Sequence, residues 1–287
     1  MQSFLKKRIR GFSLRINKTY ESVAEESFLN TLIDDACKYF LNKNKVKFVH
    51  GNRSLPDGTS AYLKFWRPRR AIHRVKTIWQ PTRIEVEGRQ YSRFTENKLP
   101  VPDIILWGSQ RIPLSIFGIF KAGIVVTKQI KGGENLKILS KKKIQPWIVR
   151  NQSQKYEVLE RIAQLLHFIH EKNLVHGDYK LRNIVFTSEK PNGRYWIIDL
   201  GSGWSLPSNK SLSSSDRNRE LCRMVYSLAS NGFLPNDALY FLKSYICCCK
   251  NHTDLHKLAK KYFEICLSQK DHRAVQATHL FVSNKSS

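Results

Sequence analysis

His176-Gly177-Asp178-Tyr179-Lys180-Leu181-Arg182-Asn183, followed by Trp196-Ile197-Ile198-Asp199-Leu200-Gly201, concentrates the chemistry of this chain. Asp178 is followed five residues later by Asn183, with Lys180 between them, and Asp199 ends an apolar run just before Leu-Gly. A carboxylate in such a loop can receive or orient the proton of an attacking hydroxyl. An amide oxygen and a second carboxylate are hard donors, suited to a divalent cation that also holds phosphate.

The surrounding sequence supplies the elements that would present these residues. Tyr156 to His170 carries Leu159, Ile162, Leu166 and Ile169 at helical spacing, which predicts a helix with one buried face. Leu174-Val175-His176 predicts a short strand, Ile184-Val185-Phe186 a second, and Tyr195-Trp196-Ile197-Ile198 a third that delivers Asp199. Pro191-Asn192-Gly193 marks the turn between the last two. Helix, loop, hairpin and Asp-Leu-Gly turn in this order resemble the protein-kinase catalytic loop H-R-D-x-K-x-x-N and the metal-binding D-F-G. Two ordinary loop aspartates, with Asn183 supporting a turn, would not explain that order. The resemblance implies an α+β, bilobal protein-kinase-like fold with a β-rich N-lobe and a mainly helical C-lobe. It implies that Asp178 accepts or orients the acceptor proton, that Lys180 neutralises the moving phosphoryl group, and that Asn183 and Asp199 hold Mg²⁺ on ATP.

Such a site also needs a lysine on an N-terminal sheet. Ser54-Leu55, the turn Pro56-Asp57-Gly58 and Thr59 to Trp66 predict a β-hairpin whose second strand carries Lys64, the choice for the phosphate-binding lysine. Glu87, Tyr91 and Phe94 fall at i, i+4 and i+7 on a helix that Leu99-Pro100-Val101-Pro102 ends, before a strand from Asp103 to Trp107. Glu87 is the choice for the partner of Lys64, with Glu85 its competitor. No G-x-G-x-x-G occurs near the front. Asn42 to Asn44, between Lys38-Tyr39-Phe40 and Val46-Lys47-Phe48-Val49, and Gly51-Asn52-Arg53 are the two candidates for a phosphate turn. Backbone N–H groups bind phosphate best where glycine permits close approach, so this departure argues against an ordinary eukaryotic-type protein kinase.

Taken together, the lysine strand, the glutamate helix, Leu-Pro-Val-Pro, the His-Gly-Asp loop and Ile-Ile-Asp-Leu-Gly resemble the bacterial lipopolysaccharide kinases, the Kdo and heptose kinases of the core oligosaccharide. Ala61-Tyr62-Leu63-Lys64-Phe65-Trp66-Arg67-Pro68-Arg69-Arg70 is similar to their basic strand motif, and Arg217-Asn218-Arg219-Glu220-Leu221-Cys222-Arg223-Met224 to the basic helix after their metal-binding loop. The resemblance implies Mg-ATP-dependent phosphoryl transfer to a sugar hydroxyl of the lipopolysaccharide core or a similar glycolipid. The same pattern is compatible with atypical Ser/Thr kinases or ATPases of the RIO type or of the KEOPS tRNA-modification complex. A pseudokinase scaffold is the non-enzymatic alternative, and the intact Asp178, Lys180, Asn183 and Asp199 argue against it. On this template residues 1–126 form the N-lobe with its nucleotide-phosphate lysine, and 127–130 the hinge, with Thr127 and Gln129 beside adenine. Residues 131–287 form the C-lobe.

Beyond Asp199, Leu206 to Ser215 is short and serine-rich, and no Ala-Pro-Glu follows. Asp216 reads as the N-cap of the next helix and Gly232 as its end. Asn236 to Cys249 and Thr253 to Ser268 read as further helices, and the tail after Gln276 as weakly structured.

Composition bounds the partners. With 287 residues the chain accommodates one such domain and little else. Its 49 Lys and Arg against 23 Asp and Glu give a net charge of +26. That field favours anionic partners: membrane phospholipid, phosphorylated glycolipid or nucleic acid. Lys6 to Arg10, Arg67 to Arg74 and Lys141-Lys142-Lys143 are its denser stretches. Ile112 to Val126, the longest apolar stretch, is broken by Lys121 and reads as two strands, not as a membrane span. The N-terminus lacks the compact apolar core of a secretory signal. Phe4, Leu5, Ile9, Phe12 and Leu14, interleaved with bases, fit either a strand or a surface resting on a bilayer. None of the six cysteines makes a C-x-x-C pair, which points to helix thiols in a reducing cytosol. A cytoplasmic enzyme is expected, with peripheral contact with the inner-membrane surface or with nucleic acid both left open by the charge.

Overall fold

In Phe12–Asn17 (β2) the side chains of Phe12, Leu14 and Ile16 are buried while Ser13 and Arg15 are exposed, the period of two that places one face of a strand against a core. β2 joins β1 (Phe4–Ile9), β3 (Phe48–Ser54), β4 (Ser60–Trp66), β5 (Ile104–Ile112) and β6 (Ile119–Lys128) in an antiparallel sheet of order β1-β2-β5-β6-β4-β3. The computed structural model describes residues 3–42, 48–67, 81–112, 119–140, 152–188, 193–206, 210–248, 259–261 and 263–265. The chain divides into two units, Met1–Lys131 with Asp199–Ser202, and Gly132–Ile198 with Gly203–Ser287.

In the first unit one face of the sheet packs on Val23 of a 3-10 turn (Lys18–Ala24) and on Leu29, Leu32 and Ile33 of α1 (Glu26–Asn42). The N-terminal segment is therefore a hairpin and not a bilayer-resting surface, because Ile9, Phe12 and Leu14 are consumed by this core. Lys38-Tyr39-Phe40 lies within α1, whose apolar residues recur at helical spacing, and Gly51 pairs with Leu63 inside the β3–β4 ladder. Gly51-Asn52-Arg53 is therefore strand and not a turn, and of the other candidate Asn42 ends α1 while residues 43–47 lie outside the described residues.

The opposite face carries the residues of interest. Register aligns Arg15 with Trp107, Trp107 with Val125, and Val125 with Lys64, so these four share one side of the sheet. α2 (Arg83–Glu96) packs there. Its N-cap Thr82 and Glu85 form a reciprocal capping box, and it buries Ile84, Glu87, Gly88, Tyr91 and Phe94 at helical spacing. A Cβ on Gly88 would stand 2.4 Å from the Trp107 ring, so only glycine lets this helix approach so closely.

In the second unit α3 (Gln152–Glu171) packs against α5 (Pro235–Cys247) through a buried Lys155–Asp237 ion pair at 2.5 Å. α4 (Ser214–Ala229) lies between the catalytic-loop sequence and α5, burying Leu221, Met224, Val225 and Leu228. β7 (Glu134–Asn135), β9 (Ile184–Thr187) and β10 (Arg194–Ile197) form one small sheet, and β8 (Leu174–Val175) with β11 (Trp204–Ser205) another. The cap of α4 is Ser213, whose hydroxyl accepts from the backbone N–H of Asp216, and not Asp216 itself. The helix ends at Ser230, with Gly232 at φ 82°.

Cys222 is disulfide-bonded, a pairing that no C-x-x-C spacing announces, whereas Cys247 and Cys248 keep their thiols. The stretches Pro68 to Arg74 and Lys141-Lys142-Lys143, the Pro191-Asn192 turn and the tail after Gln276 lie outside the described residues. Of Thr253 to Ser268, residues 259–261 and 263–265 are helical. No helix among the described residues is long and apolar enough to cross a membrane.

Candidate active site

Two groups of polar residues, one in each unit, contain the side chains singled out by the sequence. In the first unit Lys64 leaves β4 on the α2 face. Its Nζ lies 2.9 and 2.7 Å from the two carboxylate oxygens of Glu87 and 2.7 Å from Oδ1 of Asp199. Burial pulls the Lys64 ammonium down, but the charges of Glu87 and Asp199 outweigh it and raise its pKa. Glu87 itself is 1% exposed, so the ammonium is what makes an ionised carboxylate tolerable there.

Glu85, two residues earlier and so on another side of the helix, is also buried and has other partners. It caps α2 through Thr82, accepts from Ser109 at 2.6 Å, and takes a two-pronged contact from Arg111 at 2.7 to 3.1 Å. Burial pushes its carboxyl up, while the hydrogen bonds from Arg111, Ser109 and Thr82 bring it below the ordinary value.

Asp199 sits in the left-handed region at φ 63°, an uncommon conformation for a residue with a Cβ. Its backbone N–H donates to the Tyr91 hydroxyl at 3.3 Å, and its carboxylate accepts from Arg83 NH2 at 3.0 Å on both oxygens. Arg83 escaped the sequence reading. The available signal is its position four residues before Glu87, which puts both on one flank of α2.

Thr127 is buried in β6 opposite Tyr62, one pleat along from Val125, and therefore on the Lys64 face. Gln129 lies beyond the strand, and its backbone N–H donates to the Ser60 carbonyl at 2.9 Å.

In the second unit Asp178 is gripped from three sides. Lys180 Nζ lies 2.6 Å from Oδ1, Arg182 3.4 Å from Oδ2, and Asn183 Nδ2 donates to the Asp178 carbonyl at 2.8 Å and to Oδ2 at 3.2 Å. The backbone N–H of Asp178 donates to Nδ1 of His176 at 3.2 Å, so Nε2 of that ring carries the proton toward the Ile198 carbonyl, 3.1 Å away. His176 thereby ties the loop to the strand end that precedes Asp199.

The anchor beneath this loop is Glu220 of α4, fully buried. It accepts from the backbone N–H of His176 at 3.0 Å and of Gly177 at 2.7 Å, and from His170 Nε2 at 3.2 Å. His170 Nδ1 in turn meets the Tyr245 hydroxyl at 2.8 Å. Burial pushes Glu220 up, but the hydrogen bonds from the His170 ring and the His176 backbone hold its carboxyl below the ordinary range. Gly177 adopts φ 80°, which favours glycine between His176 and Asp178. Ser227 Oγ accepts from the Leu181 N–H at 3.1 Å, and Tyr179 donates to the Ile162 carbonyl at 2.8 Å. Sequence reasoning placed Glu220 in a basic helix and missed its role. Its signal is that Glu220 and Ser227 lie seven residues apart, on the flank that also buries Met224.

Comparison with known proteins bears on this arrangement. MAP kinase-activated protein kinase 2 of Cricetulus longicaudatus is 27% identical over 94 residues, which are 33% of this chain and 28% of that protein. The human protein of the same name is 27% identical over 94 residues and 23% of its length. The chain thus spans about a quarter of these curated relatives. Among solved structures, WaaP in complex with acyl carrier protein superposes with a TM-score of 0.58 at 17% identity, over 83% of this chain and 86% of that one. That likeness is one of fold: protein-kinase-like, with a β-rich N-terminal and a mainly helical C-terminal part. The family model described as the lipopolysaccharide kinase (Kdo/WaaP) family matches residues 51–245, from β3 through most of α5. With well over half of its length matched, the chain belongs to the lipopolysaccharide kinase (Kdo/WaaP) family.

Proposed function

We propose that this chain transfers the terminal phosphoryl group of ATP to a sugar hydroxyl of a lipopolysaccharide core or similar anionic glycolipid. The observation that carries the reading is the Lys64 ammonium held by Glu87 with Asp199 at 2.7 Å. Family membership supports the same activity.

In this reading residues 1–126 form the N-lobe, 127–130 the hinge with Thr127 and Gln129 beside adenine, and 131–287 the C-lobe. Lys64, fixed by Glu87, contacts the nucleotide phosphates. Asp178 orients the acceptor hydroxyl and takes its proton. Lys180, already 2.6 Å from Asp178, neutralises charge that spreads over the phosphoryl oxygens. Asn183 commits its amide nitrogen to Asp178, which leaves its oxygen to accept. That oxygen and the Asp199 carboxylate are hard donors of the kind Mg²⁺ takes. No group of three or more His, Cys, Asp or Glu that could hold a metal occurs among the described residues. Mg²⁺ in such sites is commonly bound by one or two protein ligands plus substrate phosphates. When bound, Mg²⁺ would supply charge neutralisation on the phosphates.

The test has two parts. Labelled ATP is incubated separately with dephosphorylated core glycolipid and with a casein-type protein; label in the glycolipid is expected, and label only in protein would reject the acceptor. Asp178→Asn and Asp199→Asn are then compared. Both should lose at least roughly a hundredfold in turnover, the scale of removing one electrostatic catalytic group. Only Asp199→Asn should weaken Mg-ATP binding. Full turnover by Asp178→Asn would reject the loop assignment.

A further inference from the structure

Two cationic side chains meet the Asp199 carboxylate. Lys64 lies 2.7 Å from one of its oxygens, and Arg83 3.0 Å from both. Lys64 is shared with the buried Glu87. The two cations are not equivalent. The Lys64 side chain is 10% exposed and bound to Glu87 as well, whereas that of Arg83 is 38% exposed and reaches the cluster from its solvent edge.

The path of the Arg83 side chain is also built into the metal-binding turn. A Cβ at Gly201 would stand 2.7 Å from both Cγ and Nε of Arg83, inside any tolerable contact. Gly201 is not in the left-handed region, unlike Asp199 two residues before it. The glycine of Asp-Leu-Gly leaves room that Arg83 occupies, and a Cβ there would force the arginine to move.

We propose that Arg83 is a displaceable counter-cation of Asp199, which excludes a free divalent cation from this carboxylate until nucleotide phosphate arrives. A dication brought alone adds two positive charges beside two resident cations. The same dication brought with polyphosphate arrives already neutralised, and two phosphate oxygens give the displaced guanidinium a new bidentate partner. Metal and nucleotide consequently bind together and not in sequence, with Arg83 moving from Asp199 to phosphate. The inference rests on the kinase reading above.

The experiment measures Mn²⁺ binding by electron paramagnetic resonance and calorimetry, first to nucleotide-free protein and then to protein with a non-hydrolysable ATP analogue. Wild type should bind free Mn²⁺ weakly and the Mn-nucleotide complex well. Arg83→Gln should bind free Mn²⁺ roughly tenfold or more tightly, the scale of one charge-assisted hydrogen bond removed from the competing side. Gly201→Ala, which keeps the arginine but takes its space, should shift free Mn²⁺ affinity in the same direction. Arg83→Lys should stay close to wild type. Adding Asp199→Asn to Arg83→Gln should abolish the gain, which assigns it to this carboxylate. Free Mn²⁺ affinity unchanged in both Arg83→Gln and Gly201→Ala, with the Mn-nucleotide complex still bound, would overturn the inference and leave the kinase reading intact. Failure of the wild type to bind the Mn-nucleotide complex would overturn both.

Discussion

The carboxylate of Glu220 accepts a 2.7 Å hydrogen bond from the backbone N–H of Gly177, the residue immediately before Asp178. A second bond at 3.0 Å comes from His176. The loop that carries the proposed base is thus held by a buried charge on a helix more than forty residues away, and removing that charge should disturb both stability and turnover. Glu220→Ala leaves two backbone donors and His170 without their acceptor and should cost about 3–5 kcal/mol, as for one member removed from a buried charged network. Glu220→Gln keeps the volume and one acceptor oxygen and should lose less. Urea unfolding gives the stability, and turnover should fall in Glu220→Gln with little change in ATP affinity.

Lys64 and Glu87 make the opposite case, a buried pair for which a chemical role is proposed. Lys64→Met strands Glu87 at 1% exposure and should destabilise the first unit by about 3 kcal/mol. The double variant Lys64→Met/Glu87→Leu replaces the pair with apolar volume and should recover most of that loss. Neither variant should transfer phosphate. Unfolding curves and turnover measured together separate the two effects, and activity in the double variant would reject the role of Lys64.

Gly88 sets the depth of α2 on the sheet, with a Cβ there falling 2.4 Å from Trp107. Gly88→Ala should cost about 1–3 kcal/mol by overpacking. Because Glu87 is the preceding residue, ATP affinity should fall as well. Trimming the ring with Trp107→Leu in the same chain should restore part of both, a coupling that a double-mutant cycle measures.

Glu85 predicts the acid limb of stability. Its folded carboxyl titrates below the ordinary 4.5 because the Arg111, Ser109 and Thr82 hydrogen bonds outweigh burial. A folded value below the unfolded one means that this contribution is complete above pH 4.5 and is lost as pH falls through the folded value. Glu85→Gln should be less stable than wild type at neutral pH, and the gap should narrow as pH drops below that point. Thermal unfolding across that range checks the sign.

Strands β4, β9 and β10, helices α2 and α3, and the spacing from Asp178 to Asn183 and on to Asp199 were legible in the sequence alone. Their signals are local: side-chain period along a few turns or pleats, and turn residues between them. What tertiary structure decided involves partners far apart in the chain. Glu85 and Glu87 are both buried, on different sides of α2. The choice depends on the register that sets Lys64 beside Val125 and on the Gly88 contact with Trp107. The N-terminal apolar residues fit a bilayer or a core equally well until β2 finds β5. Glu220 reads as one charge in a basic helix, and only the distant donors of His176 and Gly177 make its burial tolerable. Gly201 reads as a turn glycine, yet its hydrogen makes room for Arg83. In each case the sequence determined which group is present and on which face of its element. The fold determined which opposite charge it meets, because a buried ion pair is specified by long-range register and packing and not by neighbours in the chain.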